Sequence, residues 1–175
     1  MSLGLFFAYS CGKEAPKPVK NRNQEGPKSA EEWYQQGLEF YENQDLTRAK
    51  EAFDQCIATD SLYVSAWHDR GICHFSLDRF DAAKADFFQA IALDTGYAEA
   101  WFNLGLVYDR LQEPDSGFWA FEQSTQANPQ FAEGWFNLAV LHMDRGNNAT
   151  ACTCFKKSAD LGDTDAKQAW EKFCP

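Results

Sequence analysis

A chain of 175 residues that is 45% apolar and 15% aromatic has ample bulk for a packed core, which excludes an unfolded polyelectrolyte. Its net charge of −10 is uneven: residues 13–28 hold five basic and two acidic residues, leaving 11 basic and 24 acidic ones, a net −13, from Ser29 onward. A body of that sign repels phosphate backbones and anionic headgroups, so nucleic acid is excluded as its partner and any membrane attachment has to come from elsewhere.

The first 28 residues differ from the rest. Leu3 to Tyr9 is an apolar run, Ala8 and Ser10 are small residues just ahead of Cys11, and the stretch after Cys11 is rich in Pro and Lys with no hydrophobic periodicity. This order resembles the end of a bacterial lipoprotein signal peptide. The resemblance implies residues 1–10 as a signal remnant, Cys11 as the lipidated residue, residues 11–28 as a disordered tether, and a place in the cell envelope facing the periplasm. The alternative is a frayed apolar N-terminus on a cytoplasmic protein. No other stretch approaches the ~20 apolar residues of a bilayer-spanning helix.

From Ser29 the chain reads as paired helices. Ser29 and Glu32 form a capping box ahead of a helix predicted over 30–43, followed by one over 46–59 after a turn at Asn43 and Gln44. The pattern recurs at 64–77 and 80–93 around Asp78, at 98–111 and 114–127 around Gln112, and at 132–145 and 148–161 around Gly146. Asn128, before Pro129, reads as a helix start. Asn148, which with Ala149 and Thr150 matches a glycosylation acceptor, reads as a helix cap. A last helix, opening at Asp163 or Thr164, sets Ala166, Ala169 and Trp170 on one face and covers the end of the stack.

The pairs are copies of one unit. Trp33, Trp67, Trp101 and Trp135 stand 34 residues apart, as do Phe53, Phe87, Phe121 and Phe155. Gly37, Gly71, Gly105 and Ala139 follow each Trp by four, and Ala49, Ala83, Gly117 and Ala151 precede each Phe by four, so bulk and its absence share a helical face. The segments WYQQGLEFYE, WHDRGICHFS, WFNLGLVYDR and WFNLAVLHMD, each followed by A-x-x-x-F or its glycine variant, resemble the tetratricopeptide repeat from about Ala30 to Leu161. The resemblance implies an all-α, right-handed solenoid with units at 29–61, 62–95, 96–129 and 130–163 and a capping helix at 164–175. It also implies a non-enzymatic scaffold for protein or peptide partners.

In that family the first helix of each pair lines the concave side. The residues expected there are Tyr34, His68, Phe102 and Phe136, then Gln35, Asp69, Asn103 and Asn137, then Leu38, Ile72, Leu106 and Val140, then Tyr41, Phe75, Asp109 and Met143. Asn103 and Asn137 occupy matching contexts, and an amide offers a donor and an acceptor to an extended peptide backbone. Such a ladder resembles the peptide-binding superhelix of O-linked N-acetylglucosamine transferase. The alternative is that these amides serve nearby helix-turn groups.

Relatives that bind chaperone tails use a Lys, Arg and Asn clamp on the same helices. Here the four first helices have no Lys, three Arg and nine acids, which disfavours a terminal carboxylate and favours a neutral, apolar or basic segment. Self-association of the repeats and an accessory role toward an enzyme in trans remain as alternatives. No catalytic constellation, cofactor motif or metal-ligand spacing is legible. His74 and His142 stand where other units have Phe40 and Tyr108 and read as packing rings, whereas His68 is expected to face the groove with Asp69 turned about 100° away. Cys152 and Cys154 point apart on one helix. In an oxidising compartment Cys56–Cys73 or Cys154–Cys174 are the candidate disulfides.

Overall fold

The computed structural model describes residues 28–174, which form α-helices joined by turns. In order these are α1 (Ala30–Glu42), α2 (Leu46–Thr59), α3 (Val64–Ser76), α4 (Phe80–Leu93), α5 (Ala98–Arg110), α6 (Pro114–Ala127), α7 (Ala132–Asp144), α8 (Asn148–Asp160) and α9 (Thr164–Phe173). Helices α1, α3, α5, α7 and α8 each end one residue before the predicted limit, because Asn43, Leu77, Leu111, Arg145 and Leu161 serve as C-caps. Each helix packs on its chain neighbours and α3 also meets α5, which is the contact pattern of a solenoid. The lipobox and Cys11 lie outside the described residues.

Both kinds of turn repeat. Within pairs, Gln44, Asp78, Gln112 and Gly146 take φ of 59°, 55°, 60° and 76°. The next amide then reaches back to close the helix end, as Asp45 N donates to Phe40 O at 2.9 Å and Glu113 N to Tyr108 O at 2.9 Å. Between pairs, Asp60, Asp94 and Asn128 accept from the amides of Leu62, Gly96 and Gln130 at 2.9, 2.9 and 3.0 Å. The indole N–H of Trp67, Trp101 and Trp135 donates to the carbonyl six residues back, at 2.9, 3.0 and 3.1 Å. Each Trp therefore packs a helix and also ties down the loop before it.

Asn128 does not open a helix. It is the C-cap of α6 and α7 starts at Ala132, because the side chain is spent on its own turn. The N-cap of α8 is Asn147 rather than Asn148, which is the first helical residue. The capping box at Ser29 is present, with Ser29 N donating to Glu32 Oε2 at 2.8 Å and Glu32 N to Ser29 Oγ at 3.2 Å.

The core runs along the stack. Phe53, Phe87, Phe121 and Phe155 are buried, and the first three lie against Gly37, Gly71 and Gly105. At the C-terminal end Ala166 is fully buried, and Ala169 and Trp170 pack on the cluster containing Phe155. A disulfide joins Cys152 of α8 to Cys174, with the Cα atoms 5.5 Å apart. Cys154, the expected partner of Cys174, is buried in the core, because two residues of helix carry it about 200° away from Cys152. Cys56 and Cys73 are buried free thiols.

Candidate functional site

The face formed by α1, α3, α5 and α7 has an aromatic wall. The residue after each Trp is not presented freely but packs at a tilt or edge-on against the Phe of its own pair: Tyr34 on Phe53 at 5.7 Å, His68 on Phe87 at 5.8 Å, Phe102 on Phe121 at 5.6 Å and Phe136 on Phe155 at 5.7 Å. Tyr63, Tyr97 and Phe131 close the other side of the first three, at 4.8, 4.8 and 5.2 Å. These rings shape the wall more than they offer contact. Phe75 is likewise engaged, 5.7 Å from Phe80 and beneath the Arg110 guanidinium at 5.6 Å.

A polar network crosses this wall between the first three pairs. Tyr34 Oη donates to Asp69 Oδ2 at 2.7 Å, and His68 Nδ1 lies 2.8 Å from Asp69 Oδ1. Asn103 Nδ2 lies 2.9 Å from His68 Nε2, and Tyr97 Oη is 3.3 Å from His68 Nδ1. The two ring nitrogens thus have separate partners, Nδ1 at Asp69 and Nε2 at the Asn103 amide. The expectation that Asp69 turns away from His68 fails. Side-chain torsions bring the carboxylate back to the Nδ1 edge of the ring, which is only 7% exposed. Burial, followed by the hydrogen bond to Asp69, holds the Tyr34 phenol above its usual range. Tyr97, mainly through burial, is pushed up to about 12.

The two asparagines are not parallel rungs. Asn137 Nδ2 donates to the Glu133 carbonyl of its own helix at 2.9 Å, the local alternative, while Asn103 is committed to His68. Gln35, exposed, bonds Glu31 at 2.8 Å. The same face also carries a row of aliphatic side chains, Leu38, Ile72 and Leu106, which pack on the core yet stay half-buried, and exposed Val140, with Tyr41, Asp109 and Met143 in the neighbouring register.

The charges of this face are settled by ion pairs that the sequence reading missed. Arg70 donates from Nε and Nη2 to Asp86 at 2.9 and 2.6 Å and from Nη1 to Asp54 at 2.7 Å. Burial opposes the charged guanidinium, but the two carboxylates outweigh it and raise its pKa. Arg110 pairs with Asp78 at 3.1 Å and Arg145 with Asp115 at 2.6 Å. All three arginines are thus paired with carboxylates of second helices or turns, and among the described residues no arginine or lysine pairs with Asp69 or Asp109 on this face.

His74 and His142 are packing rings, with His142 edge-on to Phe118 at 4.9 Å. Burial pushes the His74 imidazole below its usual range. The thiols of Cys56 and Cys73 are pushed up by burial to about 11 and about 12, which makes them poor nucleophiles. Among the described residues no three His, Cys, Asp or Glu side chains are grouped to hold a metal ion, and no helix is long and apolar enough to cross a membrane.

Sequence profiles for the tetratricopeptide repeat match residues 34–98, 98–131 and 132–162. No curated protein matches the chain. Among solved structures, the crystal structure of MamA superposes with a TM-score of 0.71 at 28% identity, over 81% of this chain and 82% of that one. MamA 41-end from Desulfovibrio magneticus RS-1 gives 0.67 at 22% identity, over 76% and 75%. The first repeat domain of Spaghetti (RPAP3), solved bound to an HSP90 peptide, gives 0.64 at 18% identity, over 69% and 96%. The last two share the fold alone. With the 34-residue register, the paired helices and profile matches that run unbroken from 34 to 162, the chain belongs to the tetratricopeptide repeat family, whose members are generally interaction modules without chemistry of their own.

Proposed function

We propose that this protein is a non-enzymatic scaffold whose groove along α1, α3, α5 and α7 receives a neutral, apolar or basic segment of a partner polypeptide. The observation that carries the reading is the pairing of Arg70, Arg110 and Arg145 with carboxylates of second helices or turns, beside partly exposed aliphatic side chains on the same face. A segment laid there buries apolar area at about 25 cal/mol per Å² and meets the Asp69 and Asp109 carboxylates, which no arginine or lysine of the described residues pairs with. An acidic chain terminus is a poor fit. In the test, random peptides are selected on the full chain and then measured against Leu106→Glu with Val140→Glu. Loss of binding with helicity unchanged supports the groove, and no enrichment over a blank support overturns it.

The scaffold reading extends to a lipid-anchored protein of a bacterial envelope, acylated at Cys11 with residues 11–28 as tether. The Cys152–Cys174 bond supports an oxidising compartment, since such bonds are rare where thiols are kept reduced. Palmitate incorporation abolished by Cys11→Ser tests it, and an unlabelled chain in a lipoprotein-processing host counts against it.

A second reading, self-association, has one observation in its favour. Trp33, Phe40, Arg48 and Ala52 line an open groove of about 410 Å³ on the outer edge of the first pair, where later pairs meet a preceding helix. Sedimentation of a monomer at high concentration would dismiss it.

A further inference from the structure

We infer that the crevice between α1 and α3 is a subsite for one lysine or arginine side chain of the bound segment, an inference that rests on the groove reading above. The crevice measures about 70 Å³ and is lined by Leu38, Tyr41, Asp69 and Ile72. It suits a single side chain and is too small for a peptide backbone. Two of its walls are aliphatic, which matches the methylene stem of a long basic side chain, and its one charged group is a carboxylate. Tyr41, 39% exposed, places an aromatic ring at the rim, where a cation is attracted to the ring face.

Asp69 is held for this role. Tyr34 Oη fixes one oxygen at 2.7 Å and His68 Nδ1 the other at 2.8 Å. Each carboxylate oxygen accepts more than one hydrogen bond, so both retain capacity for an incoming ammonium or guanidinium group. Among the described residues no lysine or arginine pairs with Asp69. Its neighbour Arg70 is turned to Asp54 and Asp86 instead. Because the carboxylate is already oriented, little side-chain freedom is lost when a cation arrives.

The other pairs do not reproduce the subsite. One unit on, the matching residues are Ile72, Phe75, Asn103 and Leu106, where the carboxylate is replaced by an amide bound to His68 and Phe75 packs on Phe80. Two units on, Asn137 returns to its own helix and Asp109 is an exposed acid whose carboxylate no side chain of the described residues orients by a hydrogen bond. A single basic side chain seated at α1 and α3 would therefore set the register of the whole segment along the groove.

The test uses dodecapeptides selected from a random display library on the full chain, remade synthetically and measured by fluorescence anisotropy. The expected result is one fixed Lys or Arg among the binders, with replacement by norleucine or citrulline weakening binding about tenfold or more. On Asp69→Asn the basic and neutral peptides should bind alike. Leu38→Trp, which fills the crevice from its α1 wall, should do the same and decides the matter if Asp69→Asn unfolds. Binders lost on Leu106→Glu with Val140→Glu but lacking a fixed basic position overturn the subsite while leaving the groove. A penalty that persists in both crevice variants also overturns it. Failure to select any binder overturns both.

Discussion

A β-carbon placed on Gly71 would lie 2.7 Å from Cε1 of Phe87, closer than real side chains approach. The ring is fully buried and has nowhere to withdraw, so Gly71→Ala forces helix α3 away from α4. The expected cost is about 1–3 kcal/mol, read as a lower urea midpoint with unchanged slope. Gly105, where the matching distance to Phe121 is 2.6 Å, should behave alike. Gly146 has nothing within 4 Å of such an atom, but its φ of 76° makes alanine unfavourable for a different reason, backbone strain.

Gln44 and Gln112 occupy the same left-handed position as Gly146, with φ of 59° and 60°. A residue with a β-carbon is strained there by about 1–2 kcal/mol, against about 0.5–1 kcal/mol of extra unfolded-state entropy for glycine. Gln44→Gly and Gln112→Gly should each stabilise the fold by several tenths of a kcal/mol to about 1 kcal/mol. Both should raise the thermal midpoint without altering peptide binding, because the turns lie at the helix ends, away from the groove. A lowered midpoint in both variants would refute the strain argument.

The helices were legible because the Trp, Phe and Gly registers report one repeated backbone geometry. The Trp indole bonds were also within reach, since Ser61, Thr95 and Pro129 stand six residues before a Trp in every unit that shows the contact. The groove was harder to read. Helical phase puts Tyr34, His68, Phe102 and Phe136 on one side, but only packing reveals that each ring is already engaged by Phe53, Phe87, Phe121 or Phe155. The Asp69–His68 contact depends on side-chain torsions that Tyr34, Asn103 and Tyr97 select from neighbouring units, and spacing along one helix contains no such information. The pairing of Arg70 with Asp86 and Asp54 appears in a single unit, so the periodic reading passes over it.

His74 supplies a pH signature. Burial lowers its pKa from the usual 6.5, so between those values the unfolded chain binds a proton that the folded chain refuses. The sign follows: the His74 contribution is fully present above about 6.5 and is lost as pH falls toward the folded value. Asp54 adds a second loss at lower pH. Burial works against its charge, but Lys50 and Arg70 hold its pKa below the usual carboxylate range. His74→Phe copies the residue that stands at Phe40 in the first unit. It should flatten the stability profile just below about pH 6.5 while leaving the more acidic carboxylate transition in place. An unchanged profile in that window would remove His74 as the cause.

The Cys152–Cys174 bond secures the weakest element. Helix α9 has ten residues, below the length at which an isolated helix holds in water, and Ala166 is its one buried side chain. Asp163 supplies the other anchor, accepting from the amides of Asp165 and Ala166 at 2.9 Å each. A bridge across a sequence separation of 22 restricts the unfolded chain by about 3 kcal/mol in the loop-entropy account, more than α9 gains from any single contact. Reduction, or Cys152→Ser, should therefore release α9 first. Amide exchange should accelerate over Thr164–Phe173 and then along α8, while α1 to α6 keep their protection, because each pair contacts only its neighbours. Cys154 should stay unlabelled by alkylating reagents during this step, since its thiol is buried and burial raises its pKa. Uniform acceleration across all helices would instead show that the bond sustains the whole stack.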